Sequence, residues 1–180
     1  GYGHTGSYTA VTNLVSSAGV VATDTSGVGT VRQYLAACEY GGDKGIFAYG
    51  DTPTKVSMSN LVSNTGVVAT DVTGVGTARS ALAACEYGGD KGIFGYGLAG
   101  SYTAVTNLVN SSGVVATDTT GVGSARNGPA ACEYGTGLGI FGYGTTGSIT
   151  AVTNLVSNTG VVATDVSGVG STRRALAACS

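Results

Sequence analysis

The chain has no tryptophan, one histidine, one methionine, two prolines and few charges of either sign. Charged residues are 10% of the sequence and the formal net charge is −2. An average globular protein carries roughly 25% charged residues. That scarcity leaves no basic surface for nucleic acid or for an anionic membrane. No apolar run approaches the roughly 18 residues of a membrane-spanning helix, so no membrane insertion is expected. The N-terminal GYGHTGSYTA has neither the basic flank nor the apolar core of a signal peptide, and it lacks an initiator Met. We expect a processed chain or an excised piece of a longer one. The single histidine, His4, excludes a histidine-based catalytic pair repeated along the chain.

What is abundant is glycine, 32 residues of 180, together with valine, threonine, alanine and serine. This mixture favours strands and tight turns over helices. The segment AACEYGGDKGIF occupies 36–47 and recurs unchanged at 83–94, with AACEYGTGLGIF at 130–141. Aligned on the Tyr-Gly pair, the chain is one repeat domain, 1–180, of four units: 1–47, 48–94, 95–141 and 142–180. The period is 47 residues, in the range of solenoids, propellers and arrays.

Within a unit, ARSALAAC (78–85) is a small apolar run and Gly88-Gly89 a turn. KGIFGYG (91–97) is short and aromatic, YTAVTNLV (102–109) is β-branched, and GVVATDTTGVG (113–123) resumes that character after the turn NSSG. No stretch keeps the i, i+3, i+4 apolar spacing of a helix. The expectation is an all-β fold, a β-propeller of four-stranded antiparallel blades, with a parallel β-helix ranked second. Residues 173–180 (RRALAACS) are expected to supply an innermost strand that pairs with the N-terminal GYG segment, closing a split blade from N- to C-terminus.

Arg32, Arg79, Arg126 and Arg173, the Gly-Gly turn and the strands IFAYG (46–50) and IFGYG (93–97, 140–144) resemble the kelch repeat. The last strand departs, because kelch repeats place a Trp there. The NLVSNTGVVATD core is also similar to near-identical propeller repeats of marine and cyanobacterial phage genomes. The first resemblance implies a propeller. The second implies a virion, tail-fibre or other surface-displayed location, hence extracellular or virion surface. Some kelch-fold enzymes use copper with tyrosine, histidine and a cysteine link, a set that one histidine does not meet.

Repeats supply the same residue in every unit, whereas a catalytic site needs different residues in different roles. We therefore expect no enzyme, no catalytic residues, no cofactor and no metal. Cys38, Cys85, Cys132 and Cys179 recur 47 apart, unlike a zinc-binding CxxC. Equivalent positions of packed sheets lie about 10 Å apart, beyond the ~7 Å Cα limit of a disulfide. They are expected to be free, buried thiols. Asp24, Asp71, Asp118 and Asp165 end strands before turns and are read as turn caps. The arginines are read as inter-unit hydrogen-bond donors.

Glu39, Glu86 and Glu133, with Asp43-Lys44 and Asp90-Lys91 after two of them, sit by a loop that drifts in the third copy. The expected function is a non-catalytic structural or interaction module with a protein partner or self-association. The alternative is carbohydrate binding. It would use Tyr8 and Tyr102, but Lys55 and Ile149 stand at their place in the other units. The binding residues themselves stay unknown at this level.

Overall fold

The structure is a computed structural model that describes residues 1–179. Its strands are β1 (Gly3–His4), β2 (Tyr8–Thr9), β3 (Ala36–Tyr40), β4 (Lys44–Ala48), β5 (Ser59–Val62), β6 (Ala83–Tyr87), β7 (Lys91–Gly95), β8 (Thr106–Val109), β9 (Ala130–Tyr134), β10 (Leu138–Thr145) and β11 (Ile149–Val156). All pairings between them are antiparallel. They form four separate sheets: β1-β2, β3-β4-β5, β6-β7-β8 and β9-β10-β11. No helix forms among the described residues.

Each three-stranded sheet starts from the AACEY–KGIF hairpin. Tyr87 pairs with Lys91 around Gly88, Gly89 and Asp90. Gly88 and Gly89 have φ of 67° and 80°, a pair of left-handed conformations that side chains with a Cβ resist. The tips are also tied to each other: Gly41 N donates to Asp90 O at 2.7 Å and Gly88 N to Gly137 O at 2.9 Å. The loop read as drifting surface is thus a contact between units.

The first strands of successive sheets pack side by side, β3 against β6 and β6 against β9. Alternation puts Ala83, Cys85 and Tyr87 of β6 into the core. Ile46, Phe94, Val109 and Leu82 fill the joint between the β3-β4-β5 and β6-β7-β8 sheets. Ile93, Phe141 and Val156 fill the next joint.

Two expectations are corrected here. First, the sheets are not four-stranded blades. The GVVATD segment meets its neighbour only at isolated bridges, Val62 with Val68 and Ser59 with Val72. Those two pairs differ in register by one residue, so the outer segment carries one extra residue between them, a bulge. Asn60 causes the interruption. Its Nδ2 donates to the backbone carbonyl of Ala69 at 3.0 Å, an acceptor a ladder bond would use, and to the Asp71 side chain at 2.9 Å. The same offset recurs in the bridges of the other three units.

Second, no propeller closes. Residues 173–179 form no strand, and Ala175 N donates to Gly128 O rather than to the N-terminal segment. Closure would have to repeat the internal register. In β3–β4, Ala36 pairs with Ala48, Ala37 with Phe47 and Cys38 with Ile46. Gly1 is the repeat equivalent of Ala48, which pairs with Ala36, the equivalent of Ala177. Ser180, the last residue of the expected closing strand, lies outside the described residues.

Candidate functional site

The repeated polar residues go into the joints between units. Arg79 is fully buried. Its Nε donates to Tyr96 O at 3.0 Å, Nη1 to Thr77 O at 3.1 Å and Nη2 to Phe94 O at 3.4 Å. Its guanidinium lies 4.1 Å over the Tyr49 ring. Arg32 lies over Tyr2 in the same way and donates to Tyr49 O and to Asn60 Oδ1. Arg126 is equally buried over Tyr96, but its Nε and Nη2 find no partner among the described residues. Arg173, over Tyr143, is exposed.

A second clasp reaches across 41 residues. Asp118 accepts from Thr77 N and Oγ1 and from Asn107 Nδ2. Asp71 does the same with Thr30 and Asn60, and Asp165 with Ser124 and Asn154. These aspartates are therefore inter-unit acceptors, not only local turn caps. Desolvation pushes each carboxyl up, but the hydrogen bonds from the hydroxyl, the amide and the backbone outweigh it, so each sits below the ordinary carboxylate range.

A depressed folded pKa contributes stability that is complete above the unfolded carboxylate range and is lost as pH falls through the folded value. The melting temperature is expected to drop on acidification below about pH 4. Asp118→Asn is expected to flatten that drop. An unchanged pH profile in Asp118→Asn would show that the clasp carries no pH-linked stability.

All four cysteines are free thiols, but their burial is graded: Cys85 buried, Cys38 and Cys132 half-buried, Cys179 exposed. The uniform burial expected for them is corrected: Cys179 is exposed and only Cys85 is fully buried. Cys38 Sγ and Cys85 Sγ point at the glycines of the next hairpin, Gly92 and Gly139, where a Cβ would lie 2.5 Å and 2.7 Å from sulfur. Desolvation pushes the Cys85 thiol up to about 12, helped by the nearby Cys132, and drives Cys38 up as well. Thiol labelling of the native chain is expected to modify Cys179 first and Cys38 and Cys85 last. Equal rates at all four would overturn this packing.

Glu39, Glu86 and Glu133 face a common cleft with the cysteines. Burial, then Glu133 and Glu39, raises the Glu86 carboxyl. No group of three or more His, Cys, Asp or Glu among the described residues could hold a metal ion. His4 lies edge-on to Tyr8 at 5.8 Å, away from these groups.

At the other end of the inner strands lies a cavity of about 640 Å³ with walls from all four units. That volume is typical of a ligand site. Its floor is a backbone relay: Ala81 N donates to Tyr34 O, Gly128 N to Ala81 O and Ala175 N to Gly128 O. These relay residues all have left-handed φ, including 53° at Tyr34 and 51° at Ala81. The turn points their neighbours inward. Leu35, Leu82, Pro129 and Leu176 give the cavity an apolar base, and Asp51, Lys55, Asn127 and Arg174 bring polar groups to it. Tyr34 is 61% exposed at its rim.

Of the residues considered for sugar stacking, only Lys55 lines this cavity; Tyr8, Tyr102 and Ile149 do not. Sequence reasoning missed Tyr34. The available signal was that 33–35 read Gln-Tyr-Leu, Ser-Ala-Leu, Asn-Gly-Pro and Arg-Ala-Leu across units whose neighbours hardly change.

No family model and no curated protein matches the chain. A solved structure described as "Structure of YjhT" is similar, with a TM-score of 0.58 at 14% identity over 74% of this chain. This chain spans 44% of the length of that one. The likeness concerns the fold alone. The observed fold, all-β with small separate sheets, replaces the propeller expectation. The comparisons do not bear on a likeness to kelch repeats or phage repeats, or on a virion or extracellular location.

Proposed function

We propose that this chain is a non-catalytic interaction module that takes a partner group into the cavity rimmed by Tyr34. One observation carries the reading. Arg32, Arg79 and Arg126 and the clasp residues Asp71, Asp118 and Asp165 are taken up by the joints, while the variable positions 34–35, 80–82, 127–129 and 174–176 line one cavity. A constant frame with one unlike concavity suits recognition. The cavity offers one carboxylate, Asp51, with no histidine or thiol beside it, which is too few roles for acid–base or nucleophilic chemistry. The apolar base suits a side chain of a protein partner, held at the rim by Tyr34, Lys55 and Arg174.

A second reading, a glycan ligand, is favoured by the exposed Tyr34 ring standing beside carboxylate, amide and guanidinium groups. The intact chain is to be screened against a displayed peptide library and a glycan array, with Tyr34→Ala in parallel. Peptide binding that Tyr34→Ala abolishes is the expected result. Glycan binding abolished in the same way would select the second reading. Binding that ignores Tyr34→Ala, or none at all, would overturn both.

A further inference from the structure

We propose that the partner segment taken into the cavity is acidic: one Asp or Glu side chain, set beside an apolar residue of an extended peptide, is held by Lys55 and Arg174. This rests on the reading of the cavity as a protein-binding site. It follows from where the positive charges go. The chain has eight Lys and Arg residues. Arg32, Arg79 and Arg126 are buried in the joints, and Arg173 lies over the Tyr143 ring. Lys44 and Lys91 pair with the adjacent Asp43 and Asp90. The remaining two, Lys55 and Arg174, both line the cavity, and neither has an ion pair among the described residues. Neither belongs to the repeat: Tyr8, Tyr102 and Ile149 stand at the place of Lys55, and Gln33, Ser80 and Asn127 at the place of Arg174.

The turn that carries Lys55 is also unlike its counterparts. Asp51 bridges to Lys55, and Thr52 N donates to Thr54 O at 2.8 Å. Pro53 stands at the tip, where the other units have Gly6, Gly100 and Gly147 at φ of 95°, 114° and 109°. Proline is confined to a φ of about −65°, so this turn takes a different and stiffer path. A stiff turn holds the ammonium in place before a partner arrives and lowers the entropy lost on binding. Two cations against the single carboxylate of Asp51 leave the cavity with one excess positive charge, on a chain whose net charge is −2. That excess draws an acid and repels a base. Asp51 opposes a second carboxylate, so one acidic residue is preferred to a run of them. The apolar base of Leu35, Leu82, Pro129 and Leu176 takes the neighbouring apolar side chain.

Peptides selected from a displayed library on the intact chain, then made acetylated and amidated, test this, because their only carboxylates are side chains. They are expected to share one Asp or Glu next to an apolar residue. Exchanging that acid for its amide is expected to weaken binding by about tenfold or more, and Lys55→Gln and Arg174→Gln each by a similar factor. Binding is also expected to weaken as salt is raised. The amide exchange is made on the peptide, so it reads the charge without touching the fold. Peptides that need Tyr34 yet bind equally well as the amide, or equally to both variants, would overturn the acidic partner and leave the cavity a binding site. Finding no peptide that Tyr34→Ala weakens would overturn the reading of the cavity and this proposal with it.

Discussion

Arg79→Met is expected to lower the free energy of unfolding by about 3–5 kcal/mol, the range for removing one partner from a buried, fully bonded charged group. Its three donors satisfy the carbonyls of Tyr96, Thr77 and Phe94, and it covers the Tyr49 ring. The substitution leaves those carbonyls facing a thioether and separates the second unit from the third. Arg79→Lys is expected to rescue little, because an ammonium cannot present donors in a planar fork to carbonyls on two sides. Arg173→Met is the control: the same residue of the repeat, but exposed, and expected to cost under about 0.5 kcal/mol. Denaturant titration of the three variants checks this. Equal costs at positions 79 and 173 would mean that burial of the guanidinium contributes nothing.

Gly97→Val is expected to cost about 4 kcal/mol, combining a strained backbone with overpacking. Gly97 has φ of 109°, and a Cβ there would lie 2.8 Å from Ser80 O and 3.1 Å from Leu82 Cβ. The preceding Tyr96 already holds φ at 64°, so the chain reverses through two left-handed residues to set Tyr96 beneath Arg126. A β-branched residue cannot follow that path. Gly3→Val separates the two contributions. Gly3 holds the same place in the first unit at φ 129°, but nothing lies within 4 Å of its Cβ. It is expected to cost strain alone, about 1–3 kcal/mol. Ala99→Val, just beyond the turn, is expected to be nearly neutral. Thermal unfolding that ranks Gly97→Val level with Ala99→Val would refute the turn geometry.

The sequence by itself determined the 47-residue period, the all-β character and the position of the AACEY–KGIF hairpin. These follow from local properties: β-branched and small residues favour extended backbone, and Gly88-Gly89 permits the turn that joins the two strands. It could not determine how the strands end. The outer GVVATD segment has strand composition, yet the Asn60 side chain occupies the Ala69 carbonyl and leaves only bridges. That outcome depends on a residue pairing in space nine positions away. Closure was equally beyond reach, because register decides which residues of 173–179 would need partners. The aspartates looked like turn caps because their clasp donors stand 41 residues earlier. The cavity was least legible of all. Tyr34, Lys55, Asn127 and Arg174 come from four different units, and only the packing of successive sheets against one another brings them to one cavity.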